Sequence, residues 1–128
     1  MSGGYRVKRV YDEPSRVDGK RVLVDRLWPR GVSKEAAELD GWAKDVTPSD
    51  ELRKWYHDHR DEYSEFVERY DAELDGESQQ QALAELRELG AEHRVTLVTA
   101  AKDVERSHVP VLLKHLERGG ADEGGGRA

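Results

Sequence analysis

Apolar positions follow two periods along this chain. Residues 5–11 (Tyr-Arg-Val-Lys-Arg-Val-Tyr) alternate and are rich in β-formers, which predicts a strand. Residues 21–26 contain the unbroken run Val22-Leu23-Val24, the pattern of a strand covered on both faces. Residues 94–100 (Arg-Val-Thr-Leu-Val-Thr-Ala) predict a third strand. Between the second and third strands the spacing becomes three and four. Leu52, Trp55, Tyr56, Tyr63, Phe66, Val67, Tyr70 and Leu74 fall on one helical stripe. The polar residues 57–61 should break it into two helices, and Thr47-Pro48-Ser49-Asp50 should start the first, with Thr47 as cap. Ser33 is a plausible cap for a short helix to about Gly41. Ser78 can cap a helix carrying Ala82, Leu83, Leu86 and Leu89, with Gly90 as its stop. A last helix should begin near Ser107 and face the core through Val109, Leu112, Leu113 and Leu116.

Strands followed by helices predict an α/β domain: three layers, α/β/α, with a small, mostly parallel sheet over residues 1–118. Residues 1–4 read as a loose start and residues 119–128 as a flexible Gly-rich tail. The connection over residues 12–20 has two readings. Asp18-Gly19 suits a hairpin turn, whereas a helical turn after Pro14 would make a crossover and keep the first two strands parallel.

Each strand ends in polar chemistry, and ligands of open α/β sheets bind outside the carboxyl ends of the strands. The first strand offers Lys8, Arg9 and Tyr11, the second Asp25, Arg26, Trp28 and Arg30, the third Lys102 and Asp103. Arg26 and Arg30 present planar forks suited to phosphate or carboxylate; their structural alternative is pairing with Asp25 or a helix acid. Arg53 is either a further anion ligand or a solvated helix residue. Asp25, flanked by arginines, should be ionised and suited to orienting a cation or holding a hydroxyl. Asp103 is a base or, the better reading, a cap. His108 is a candidate anion contact or acid–base group. Trp28 stacks on a ligand or, more commonly for such a residue, seals the core; Trp42, Trp55 and Phe66 read as core. His57 and His59, two apart on a helix, face different ways and make poor joint metal ligands, so no metal is expected.

Composition narrows the classes. The chain has 128 residues, no cysteine and a net charge of -6, which removes disulfides, thiol nucleophiles and Cys-ligated metal. Residues 1–34 carry nine Lys and Arg against four Asp and Glu; the acidic excess lies in the rest. A basic patch on an acidic body suits a focused anion pocket and argues against coating of duplex DNA. No apolar run is long enough to span a membrane and no secretory signal is readable, so a cytoplasmic protein is expected. No Gly-rich phosphate loop is present, and no cofactor is expected.

Several stretches together resemble the YeaO-like family, a bacterial and archaeal family of small proteins within a larger group of domains of unknown function. They are Lys8-Arg9-Val10-Tyr11-Asp12, Asp18-Gly19, residues 21–31, Lys34, Leu39, Trp42-Ala43-Lys44, Pro48-Ser49, Leu52-Arg53, Phe66, Arg69-Tyr70, Glu73-Leu74, Val95-Thr96-Leu97, Ala100-Ala101-Lys102-Asp103 and His108. The run Leu23-Val24-Asp25-Arg26-Leu27-Trp28-Pro29-Arg30-Gly31 is the most specific, and the match covers residues 5–118. The resemblance implies an α/β/α fold with a parallel sheet, which favours the crossover at residues 12–20. The wider group often has a Cys after the third strand and a Cys-His near the last helix. Here those places read Ala100-Ala101 and Ser107-His108, so that thiol chemistry is absent.

The leading expectation is an anionic, phosphate-bearing or similar small molecule bound at the strand ends, with acid–base or hydrolytic chemistry open to Asp25, Asp103 or His108. The alternatives are a non-catalytic module for single-stranded nucleic acid, using Lys20, Arg26, Trp28 and Arg30, or a protein-interaction module using the acidic helices of residues 47–75. Neither catalysis nor oligomeric state is decided by the sequence.

Overall fold

In the computed structural model, which describes residues 5–121, four parallel strands form one sheet in the order β1-β4-β2-β3. The strands are β1 (Tyr5–Arg9), β2 (Lys20–Leu23), β3 (Gly41–Trp42) and β4 (Val95–Thr99). The helices are α1 (Lys34–Ala37), α2 (Asp50–Asp58), α3 (Tyr63–Leu74), α4 (Glu77–Glu92) and α5 (Val109–Ala121). Short 3-10 turns lie at Arg16–Asp18, Lys44–Val46 and Val104–Arg106. The expected loose start at residues 1–4 and most of the expected tail, residues 122–128, lie outside the described residues; α5 itself continues through Ala121.

The last strand is the middle of the sheet. Every residue of β4 is buried, and its two threonines satisfy their hydroxyls there, Thr96 on the Asp18 carbonyl and Thr99 on the Asp25 carboxylate. It pairs with β1 from Tyr5↔Val95 to Arg9↔Thr99 and with β2 from Lys20↔Val95 to Leu23↔Val98. The connection at residues 12–20 is therefore a crossover and not a hairpin, since β1 and β2 each run parallel to the strand between them. Gly19 makes it tight: its φ is +67°, and a Cβ there would stand 2.2 Å from the Arg94 carbonyl oxygen.

The two faces of the sheet are unequal. Val22, Val24, Val95 and Leu97 share one core with Leu52 and Tyr56 of α2, Phe66, Tyr70 and Leu74 of α3, Leu83 and Leu86 of α4, and Leu112 and Leu116 of α5. All four longer helices thus cover one face. Among the described residues, the other carries α1 and loops, over a small cluster of Val10, Ala37 and Val98 with Trp28, Val32 and Leu39 beside it. The third layer is reduced to four residues. A buried ion network fills the space an apolar helix would take. The Asp18 carboxylate, 1% exposed, accepts from Arg21 Nη1 (2.7 Å), Lys8 Nζ (3.1 Å) and the Ser15 N–H (3.0 Å). Burial pushes the Asp18 carboxyl up, but the hydrogen bonds from Ser15, Lys8 and Arg21 together outweigh it and hold it below its ordinary value.

Several local expectations need correction. The strand β3 escapes the sequence because two residues carry no period; α1 ends at Ala37, and Gly41, expected near the end of that helix, begins β3 instead. Ser49, not Thr47, caps α2 by accepting from the Leu52 N–H; Thr47 instead donates to the Lys44 carbonyl. Glu73 of α3 explains the choice, since it accepts from both the Ser49 N–H and hydroxyl and so fixes Ser49 at the helix start. Gly90 does not stop α4, which runs to Glu92; a Cβ at Gly90 would stand 2.8 Å from the Tyr5 hydroxyl, so that glycine serves packing. Trp42 is 37% exposed rather than core, because β3 is the edge of the sheet. No helix among the described residues is long and apolar enough to cross a membrane.

Candidate functional site

The carboxyl ends of β2 and β4 are tied by Asp25. Its Oδ1 accepts from the Thr99 hydroxyl and its Oδ2 from the Ala100 N–H, both at 2.7 Å. Its backbone carbonyl accepts from the Trp42 indole N–H at 2.6 Å, which brings in β3. Beside it, His108 Nε2 lies 2.5 Å from the Val24 carbonyl oxygen and 3.6 Å from Asp25 Oδ1. A carbonyl only accepts, so Nε2 carries the hydrogen and Nδ1 of the neutral ring is bare. Burial pushes the His108 pKa down, against the opposing pull of the Asp25 charge and the Val24 carbonyl.

This lowered pKa makes stability depend on pH. Below about 6.5, the ordinary histidine value, the unfolded chain takes up a proton that folded His108 refuses. The folded state therefore loses stability as pH falls from 7 to 5. Urea unfolding at both pH values should show that loss reduced in His108→Gln. An equal loss in both proteins would place the titrating group elsewhere.

A cleft of about 800 Å³ opens next to His108, between the second half of α2 with its following turn and the loop after β4. Tyrosines hold its wall. The Tyr56 hydroxyl donates to the Arg106 carbonyl and the Tyr63 hydroxyl to the Ser107 carbonyl, both at 2.8 Å, so the 104–107 turn is pinned to α2 and α3. Around the cleft stand Arg53, Lys54, Arg60, Lys102 and Arg106, opposed by the carboxylates of Asp58 and Asp103. Arg60 lies over the Tyr56 ring and Arg106 over the Tyr63 ring, at 5.2 and 5.5 Å from their centroids. Among the described residues, the Lys54, His57, Asp58, Lys102 and Asp103 side chains make no hydrogen bond or ion pair, and no group of three metal-ligating side chains gathers.

Of the residues singled out in the sequence, Arg53, Lys102, Asp103 and His108 line this cleft. The others stand elsewhere. Arg26 donates through Nε to the Pro48 carbonyl at 2.8 Å, and its nearest acid, Asp50, is 4.0 Å away and already bonded to Arg53 at 3.1 Å. Arg9 donates to the Ala101 carbonyl and lies over the exposed Tyr11 ring. Lys8 belongs to the Asp18 network on the opposite face. Trp28 donates to the Val32 carbonyl and packs against the small cluster. Arg30 is exposed and makes no hydrogen bond or ion pair among the described residues. Asp103 makes no side-chain capping bond, so the cap expected of it is absent. His57 and Asp58, which the sequence brings up only as part of a poor metal set, also line the cleft, as do Lys54, Arg60 and Arg106, which sequence reasoning does not single out. The signal for those on α2 is in the sequence: positions 53 and 57, like 54 and 58, recur at helical spacing on its polar side.

Comparison with known proteins gives a family without an assigned activity. A family model, DUF488-N3i, described as the inactive DUF488-N3 subclade, matches residues 5–127. An uncharacterised protein of Mycobacterium tuberculosis is 49% identical over 111 residues, covering 87% of this chain and 92% of that protein. The uncharacterised protein YeaO of Escherichia coli is 44% identical over 109 residues, covering 85% and 93%. No solved structure matches the chain.

Proposed function

Because the chain belongs to the inactive DUF488-N3 subclade, the YeaO-like proteins, we propose that its cleft binds an anionic, phosphate-bearing small molecule without turning it over. One observation carries this reading: five cationic side chains surround the cleft against two carboxylates, on a chain whose net charge is -6. A local positive field on an acidic body attracts small anions and discourages extended nucleic acid, which meets the surrounding negative surface. Lys54 and Lys102 are the groups free to meet the anion, since Arg53 is partly neutralised by Asp50, Arg60 lies over the Tyr56 ring and Arg106 is bonded to the Arg60 carbonyl.

Binding without turnover is supported by the state of the would-be catalytic groups. Both Asp25 oxygens are held by Thr99 and Ala100. His108 spends its one N–H on a backbone carbonyl. Asp103 is exposed, with nothing to orient it among the described residues. No nucleophile stands hydrogen-bonded to a base in the cleft, the arrangement nucleophilic catalysis requires. A cytoplasmic location belongs to the same proposal.

The test is calorimetric titration with inorganic pyrophosphate, a nucleoside triphosphate and a short oligonucleotide at two salt concentrations. Lys54→Glu and Lys102→Glu should each weaken binding of the preferred small anion about tenfold and leave the melting temperature within a few degrees, because both side chains are exposed. Arg30→Glu, outside the cleft, should have little effect. Binding of the oligonucleotide alone, lost at high salt, would replace the small-molecule reading with the nucleic-acid one.

A further inference from the structure

On the thin face of the sheet, at the β3 edge, lies a separate notch of about 250 Å³ lined by Trp28, Lys34, Leu39, Asp40, Gly41 and Trp42. It is far too small for a nucleotide and lies below the roughly 300–1,000 Å³ of drug-sized pockets. Two of its walls are indoles. Trp28 and Trp42 meet with centroids 5.5 Å apart and planes at 70°, so they form a corner rather than a stack. Both rings are held in place before anything binds, Trp28 by its bond to the Val32 carbonyl (2.7 Å) and Trp42 by its bond to the Asp25 carbonyl (2.6 Å). With their N–H groups engaged, what the indoles offer a ligand is π-electron surface, which attracts cations and repels anions.

Two further observations point to a cation. Trp42 already seats one: Lys44 Nζ lies 4.1 Å from its centroid, and Lys44 lines the groove on the α4 side, not the notch. The third polar group of the notch is the Asp40 carboxylate. One of its oxygens accepts from the Arg21 N–H at 2.8 Å; the other makes no hydrogen bond among the described residues. Lys34 is the opposing feature, but it is exposed and hangs on a flexible stem.

We infer that this notch binds a methylated ammonium group, seated in the Trp28–Trp42 corner with Asp40 as counter-charge. A methylated head suits two indole faces better than a bare ammonium, because it loses less hydration on entering and fills the corner with apolar methyl groups. The inference is independent of the anion cleft.

The test follows the three tryptophan indole N–H resonances during titration with tetramethylammonium chloride, at ionic strength held constant with sodium chloride. Trp28 and Trp42 should shift saturably while Trp55 stays still. 3,3-Dimethylbutan-1-ol, the neutral carbon isostere of choline, should not reproduce the saturating shift. Lys34→Gln, at an exposed position that cannot unsettle the fold, should tighten binding about threefold by removing a like charge. Asp40→Asn should weaken it by a similar factor, and Trp42→Leu by about fivefold or more. No saturable shift, an equal response to the alcohol, or weaker binding in Lys34→Gln would each overturn the inference. Choline and an acetylated, amidated trimethyl-lysine, titrated in parallel, separate a free small molecule from a modified side chain by which binds more tightly.

Discussion

Asp18→Ala should cost about 3–5 kcal/mol of folding stability, the range for removing one member of a buried ion pair. Arg21 is the reason for so large a loss. Its side chain is 4% exposed, it donates through Nη1 to Asp18 and through Nε to the Ala37 carbonyl, and its Nη2 has no partner among the described residues. Without the carboxylate, a guanidinium that cannot lose its proton stays buried with only a carbonyl for company. Lys8, 21% exposed, can turn to water and softens the loss only slightly. Urea unfolding checks this as a lower midpoint with an unchanged slope. The apolar double replacement Asp18→Leu with Arg21→Met should recover most of the stability, since it removes both charges together. A loss below 1 kcal/mol in Asp18→Ala would mean that water reaches this network.

Asp25→Ala should cost about 2–4 kcal/mol, because the Thr99 hydroxyl and the Ala100 N–H both lose a charged acceptor where β2 and β4 end. Asp25→Asn separates tie from catalyst. The amide keeps one oxygen for the Ala100 N–H, and the Thr99 hydroxyl, which already accepts from the Ala101 N–H, has a second lone pair for the new amide NH2. It should therefore fold with a loss nearer 1 kcal/mol and bind the cleft anion as the parent does. A folded Asp25→Asn protein that no longer binds pyrophosphate would instead put the carboxylate in the site itself.

Strands β1, β2 and β4, the four longer helices and the position of the break between α2 and α3 were legible because each rests on a period or a punctuating residue. Val22 to Val24 reads as a covered strand, and the polar residues 57–61 interrupt the helical stripe where α2 gives way to α3. What was not legible depended on partners distant in sequence. Nothing near Ser49 announces that Glu73 will select it over Thr47 as the cap. Nothing near Gly90 announces Tyr5. The site shows the same division. The chemistry at the strand ends was visible, and Arg53, Lys102, Asp103 and His108 do meet at one cleft. Which charges would be consumed was not: Arg26 goes to Pro48, Lys8 to Asp18 and Arg9 to Ala101, contacts that span 10 to 92 positions.

The order of strands in the sheet also sets an order in time. β1 and β2 do not pair with each other; β2 meets the two-residue β3 about twenty positions on, but β1 waits for β4, about ninety positions further along, which also completes the pairing of β2. As the chain leaves the ribosome, β1 has no strand partner until residues 95–99 have emerged, and the helices α2 to α4 come out before the sheet they cover. Closing loops of that length before any reward slows folding relative to a helical bundle of equal size. The nascent protein is thus an unpaired β1, a β2 joined only to the short β3, and a set of amphipathic helices until residues 95–99 arrive, and that interval is when it most needs protection from association.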